Sequence, residues 1–228
     1  MTQEDKEMWK KIKEQQGYIV LITCIIFHYF SYVSLFRAIR IINKKICIRQ
    51  NKNEKDSFIG GYAFPELWVL GNILCGIVIY ILLVYINIPV WLGWTFVILA
   101  IMRTFEILIY HVNVLLFDRL KVESRGGEYA IKSPIRMLVL LLINMFEYII
   151  CFSIVYLFFI TGLNDAYWQS FAMSISAFLN INLPESGKLL SNKWIAVARI
   201  ESILGIFMNL ICIARFINTL PSVKTIDE

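Results

Sequence analysis

Five long apolar runs, separated by short charged stretches, set the limits on what this chain can fold into. They are Tyr18–Phe36, Glu66–Ile86, Val90–Phe117, Ile135–Thr161 and Trp194–Ile217. Each is near or above the roughly 20 residues a helix needs to cross the bilayer core. Lipid offers no hydrogen bonds to an open backbone, so a spanning segment is either a helix or a strand of a closed barrel. Barrel strands are shorter and alternate in polarity, and these runs do not. The expectation is an all-α integral membrane protein with about five transmembrane helices. Composition agrees: 58% of the 228 residues are apolar and 17% charged, against about 45–50% and 25% in soluble domains. An ordinary soluble enzyme and a disordered chain are excluded.

The net charge of +5 reads as topology rather than as a nucleic-acid surface, because Lys and Arg set membrane orientation. Arg37, Arg40, Lys44, Lys45, Arg49, Lys52 and Lys55 follow the first run with one acid, Glu54, among them. A second basic stretch, 118–136, carries Arg119, Lys121, Arg125, Lys132 and Arg136. Both are expected on the cytoplasmic side, with Asn87-Ile88-Pro89 and the segment after Thr161 outside. Five spans then place the N-terminus outside. The balanced tail, 1–17, has a second reading as an amphipathic helix on the membrane surface. The basic residues directly after the first run and the lack of a small-residue cleavage site argue against a removable signal peptide. The Arg37–Lys55 stretch also suits anionic lipid headgroups or a small anionic ligand.

No catalytic or cofactor chemistry is evident. Cys24, Cys47, Cys75, Cys151 and Cys212 form no C-x-x-C pair, and His28 and His111 stand alone. A zinc site or a disulfide framework is not expected. There is no G-x-x-x-x-G-K phosphate loop; Gly60-Gly61 and Gly126-Gly127 read as turns.

Polar residues inside apolar runs are expensive and normally face protein or water. Arg103, Glu106, Tyr110 and Asn113 share one face of the third span at i, i+3, i+7 and i+10. Asn144, Glu147 and Cys151 repeat this spacing on the fourth, and Arg199 and Glu201 lie toward the outer end of the fifth. A polar network of Arg103, Glu106, Asn144, Glu147, Arg199 and Glu201 is expected, with Arg103 paired to Glu106. Glu147 and Glu201 have Arg199 or Arg103 as candidate partners. One arginine in mid-helix does not make a voltage sensor, which needs several in series.

The stretch 162–193 is too long for a minimal connection and too apolar for a solvated loop. Asn164-Asp165 can cap a helix, and Ala166–Phe178 is helix-compatible but too short to span. Followed by Leu179-Asn180-Ile181-Asn182-Leu183-Pro184, it reads as a re-entrant segment; the other reading is an amphipathic helix resting on the outer surface.

Helix, re-entrant helix, extended stretch and helix make the layout of a pore module, and the residues carry the likeness further. Arg136, Asn144-Met145-Phe146-Glu147 and Tyr156 within 135–158 resemble the outer helix of the bacterial two-transmembrane potassium-channel pore-domain family. Asp165-Ala166-Tyr167-Trp168-Gln169-Ser170-Phe171 is similar to the start of its pore helix. Ala198-Arg199-Ile200-Glu201-Ser202-Ile203-Leu204-Gly205 followed by Ile213-Ala214-Arg215-Phe216 is similar to its inner helix. The resemblance covers 134–218 and implies a homotetrameric ion channel with a pore loop and a gating hinge at Gly205. The family's T-V-G-Y-G filter is absent; Ser176-Ala177-Phe178-Leu179-Asn180-Ile181-Asn182 stands in its place. Potassium selectivity through a ring of glycine-backbone carbonyls is therefore not carried over.

The sequence thus divides into a tail or surface helix (1–17), a three-helix peripheral region (18–133), a pore-like module (134–218) and a C-terminal tail (219–228). Asn180, Asn182 and Glu185 are the candidate ion pathway, with no cofactor or metal. A cation-leaning pore is expected in a cell membrane, the Ile- and Lys-rich composition suiting a bacterial inner membrane. The alternative is a non-conducting subunit that keeps a channel fold and assembles with partners.

Overall fold

Proline and charge place the helix starts. Pro65 lies in the first turn of one helix and Pro134 opens another, where a missing N–H costs nothing; Pro89 immediately precedes a third. The computed structural model describes residues 3–49, 59, 63–86, 88–127, 134–159, 166–181 and 192–219. Among them there is no strand. The helices are α1 (Gln3–Gln16), α2 (Tyr18–Phe30), α3 (Leu35–Arg49), α4 (Ala63–Tyr85), α5 (Val90–Val112), α6 (Asp118–Ser124), α7 (Pro134–Phe159), α8 (Ala166–Leu179) and α9 (Asn192–Thr219). Among the described residues four helical stretches are long and apolar enough to cross a membrane, or up to five if a bent pair counts as one. The chain is all-helical and compatible with a multi-pass membrane protein.

α7 is the central element, packed against α4, α5 and α8. It starts beside α4, where Arg136 pairs with Glu66 at 2.5 Å. α5 runs antiparallel to it. Gly93 meets the Phe158 ring near one end; Val97 and Ala100 join Cys151 and Ile154 in one cluster, and Ile107 joins Met145 and Tyr148 in another. α8 lies between α7 and α9.

Two runs differ from the continuous spans expected of them. The first breaks: α2 ends at Phe30, a 3₁₀ turn covers Ser31–Val33, and Ser34 is extended. α3 then leaves at 73° to α2, so the basic residues Arg37–Arg49 are helical rather than loop. The third run passes through a π-helical turn, Asn113–Phe117, directly into α6. Asn113 holds that turn, donating Nδ2 to Phe27 O at 3.2 Å and to Ile109 O at 3.1 Å while accepting from Lys121 Nζ at 2.7 Å.

α1 buries Met8, Trp9 and Ile12 against Cys24, Val112 and Phe117, with Leu120 and Ile211 alongside. It therefore sits at the α6 end of the bundle. The five-span count separates the N-terminal tail from residues 118–124; here they share one end. The first run, broken after α2, counts as a crossing only if its two helices are taken together.

Candidate functional site

Two buried polar clusters lie between the long helices, the first about halfway along α5 and α7. In the first, α5 supplies Arg103 and Glu106 one turn apart, and α7 supplies Glu147. Arg103 donates Nε and Nη2 to the two oxygens of Glu147, the latter at 3.0 Å, and Nη1 to Glu106 Oε2 at 2.5 Å. A guanidinium is suited to such forked contact with a carboxylate. Of the two expected partners for Glu147, the structure brings Arg103.

Glu106 Oε1 accepts from Ser34 Oγ and, at 2.9 Å, from the Phe36 N–H. That N–H belongs to the first turn of α3, where donors have no partner inside the helix. A carboxylate there also meets the positive end of the helix dipole. Glu106 thus caps the broken helix from another span. On the other side of the break, Ser31 Oγ donates to His28 O at 2.6 Å, and Arg37 reaches Ser31 Oγ and, at 3.2 Å, His28 O. The backbone groups freed by the break are met by these side chains, which is what a break at membrane depth requires.

The second cluster fixes α8. Glu201 of α9 is fully buried. It accepts from Tyr156 Oη at 2.5 Å and contacts Ser174 Oγ at 2.6 Å. Tyr148 Oη donates to its backbone oxygen at 3.2 Å, and Ser174 Oγ also reaches Ile149 O at 2.9 Å. Ser170, one turn earlier on α8, hydrogen-bonds Tyr80 of α4 at 2.9 Å. Glu201 therefore meets neither Arg199 nor Arg103, its two expected partners. Its hydroxyl partners come from α7 and α8, which brings both helices onto α9.

The C-terminal end of α8 is built tightly. Asn180 has φ 54°, a left-handed conformation that asparagine tolerates better than most residues. Its N–H donates to Ala177 O at 3.2 Å, and the Ile181 N–H to Ser176 O at 3.0 Å. This is a Schellman cap, which satisfies the last free carbonyls of the helix. Asn180 Oδ1 accepts from Ser202 Oγ of α9 at 2.8 Å. Phe178 lies on Gly205. Asn180, a candidate for the ion pathway, thus also has a capping role.

Asn182 and Glu185 lie outside the described residues, as do the Asn164-Asp165 cap and Gly60-Gly61. Arg199 is exposed on α9 and joins neither cluster. Asn144 is buried beside the first cluster without bonding to it. Ser34 and Ser174 were not singled out in the sequence. The signal for Ser34 was present, since Ser31 and Ser34 interrupt an otherwise apolar run. Ser174 stands one turn from Ser170 on α8, so the two share a face. Among the described residues no three His, Cys, Asp or Glu side chains gather as a metal site. Comparison with protein families, with curated proteins and with solved structures finds no match to this chain.

Proposed function

We propose that the chain is a subunit of an oligomeric, cation-leaning pore, a homotetramer in a cell membrane such as a bacterial inner membrane, with α7, α8 and α9 as the pore module. The observation that carries this reading is where α8 ends. Phe178, next to its last residue, meets Tyr148 on α7 and Gly205 on α9. These positions are close to the middle of the apolar spans Ile135–Phe158 and Ile195–Ala214. At about 21 Å for its 14 residues, α8 is too short for a core of about 30 Å. A helix that enters from one face and stops at mid-depth is re-entrant, and any non-helical backbone at that depth needs protein or water around it.

Charge favours cations. The C-terminal end of a helix carries about half a negative charge, and α8 directs that end to mid-depth. Leu179, Asn180 and Ile181 are exposed there on the single chain, free to face the axis of an oligomer. A ring of Asn180 amides and of Glu185 carboxylates at the outer mouth would favour cations. In this reading α1, α6 and the basic stretches lie on the cytoplasmic side. α2 and α3 dip in from that side without crossing, and α4, α5, α7 and α9 span. Arg40, Lys44, Lys45 and Arg49 on α3 then meet anionic headgroups, each worth about 1 kcal/mol near the surface.

A second reading is a non-conducting subunit that keeps the channel fold. Leu179 and Ile181, apolar on either side of Asn180, favour it, because four copies would close a dry constriction. Planar bilayers under asymmetric KCl and NaCl separate the two. A pore gives discrete steps with a cation-selective reversal potential. Asn180→Gly keeps the left-handed cap but removes the amide, so a pore shows altered selectivity, while losing the Ser202 hydrogen bond costs about 0.5–1.5 kcal/mol. Silence, in a protein that purifies as a monomer or with a dissimilar subunit, establishes the second reading.

A further inference from the structure

A cavity of about 140 Å³ lies between α4, α5 and α7, and the pore reading does not use it. Asn72 and Cys75 of α4, Phe96, Leu99 and Arg103 of α5 and Ile154 of α7 are among its lining residues. α4 packs along α7 and touches α5 only slightly, so the cavity is a gap between two neighbouring spans. Cys75 and Leu99 are exposed, which puts its mouth on the apolar surface of the bundle.

Hydrocarbon alone can fill an apolar gap, but these walls also carry polar groups. Asn72 stands near the middle of α4, an apolar span. Its Nδ2 donates to Trp68 O at 2.6 Å. Its Oδ1 has no hydrogen-bond partner among the described residues and is not enclosed by them. An open acceptor at that depth has no water to meet it and is costly. Arg103 commits three of its five N–H donors, two to Glu147 and one to Glu106, and its side chain stays 13% exposed. An apolar cavity with a few polar groups on its walls is the pattern of a small-molecule site.

The same walls select the head of the ligand. Arg103 and Glu106 both line the cavity and pair with each other, so neither sign of charge is favoured, and a charged head is costly at this depth. The head is therefore neutral. The volume is close to the roughly 150 Å³ of an engineered apolar cavity that takes up benzene, which suits one six-membered ring.

We propose that this cavity binds the ring of a neutral, lipid-soluble quinol, whose apolar tail leaves between α4 and α5 into the bilayer. One ring hydroxyl donates to Asn72 Oδ1, and the other ring oxygen accepts from a remaining N–H of Arg103. A phospholipid tail has no group for either. The site rests on α4, α5 and α7 as spans and lies apart from the end of α8, so it stands whether or not the α8 module conducts.

The test is thermal unfolding of the purified full chain in nanodiscs of a neutral phospholipid, in anaerobic reducing buffer. Decylhydroquinone is the probe, and decylbenzene, the same ring and tail without the oxygens, is its control. Wild type is expected to gain stability saturably with decylhydroquinone and much less with decylbenzene. Asn72→Leu, an apolar change on an apolar span that keeps the fold, raises the half-saturating load about tenfold. Cys75→Phe fills the cavity from an exposed position and abolishes the gain; Leu99→Trp does the same from the opposite wall. An equal gain in wild type, Asn72→Leu, Cys75→Phe and Leu99→Trp overturns the proposal. An equal gain from decylhydroquinone and decylbenzene makes the cavity a groove for hydrocarbon and also overturns it. Tighter binding of 4-decylbenzoate than of decylhydroquinone makes it an anion site and overturns the neutral assignment. The absence of a saturable gain with decylhydroquinone in folded wild type overturns it as well.

Discussion

Phe178 sits so close to Gly205 that a Cβ on Gly205 would stand 2.8 Å from the Phe178 carbonyl oxygen and 3.0 Å from its ring. The contact is with backbone, which cannot swing aside. Gly205 is therefore the point where α9 lets the end of α8 approach, a use of glycine separate from bending. Gly205→Ala gains roughly 1 kcal/mol of helix propensity and loses about 1–3 kcal/mol to overpacking. The expected outcome is a melting temperature lower by a few degrees. A higher melting temperature with lost conductance would instead make flexibility the reason for Gly205.

Arg103 holds two buried carboxylates at once. Arg103→Leu leaves both without their cation, and breaking a buried pair in this way costs about 3–5 kcal/mol. Arg103→Lys recovers only part, because an ammonium cannot reproduce the fork on Glu147. Neutralising the whole cluster, as Arg103→Leu with Glu106→Gln and Glu147→Leu, is expected to cost far less than Arg103→Leu alone. Denaturation midpoints of the three proteins check this. Simple addition of the single effects would show that the three groups do not act as a unit.

The helices were legible in the sequence because apolar length and proline positions act locally. Arg103–Glu106 was legible for the same reason, being one turn of one helix. Glu147 was expected to pair with an arginine, but two candidates lay on different helices, and only the antiparallel register of α5 and α7 selects Arg103. Glu201 shows the limit more clearly. A glutamate two residues from an arginine invites an ion pair, yet i and i+2 point to different sides of a helix. The side of α9 that carries Glu201 meets the hydroxyls of α7 and α8. The break in the first run was missed because hydropathy averages over Ser31 and Ser34, while the group that stabilises the break, Glu106, is about 70 residues away.

The shared end of α1 and α6 gives a test of topology. In a background without the native cysteines, Lys10→Cys on α1 and Arg119→Cys on α6 are both exposed positions. A membrane-impermeant maleimide is expected to label both from the cytoplasmic side and neither from outside. Labelling from opposite sides would restore a full first crossing and remove the re-entrant reading of α2 and α3.

Glu201 poses a question of proton count. Ser174 has one hydroxyl proton and two acceptors in reach, Ile149 O and Glu201 Oε1. The network closes fully if the carboxyl itself donates to Ser174 Oγ, Ser174 donates to Ile149 O, and Tyr156 donates to Glu201 Oε2. A glutamine can copy this pattern, since its NH₂ donates where the carboxyl proton would and its oxygen accepts from Tyr156. Glu201→Gln is therefore expected to keep the assembly and the melting temperature close to wild type. Glu201→Leu leaves the Tyr156 and Ser174 hydroxyls buried without this partner, at about 1–3 kcal/mol each, and loosens α8 from α9. Thermal unfolding, with amide hydrogen exchange read over 166–181, distinguishes the two. A large loss for Glu201→Gln would mean that the charged carboxylate, and not its hydrogen-bond pattern, holds α8 in place.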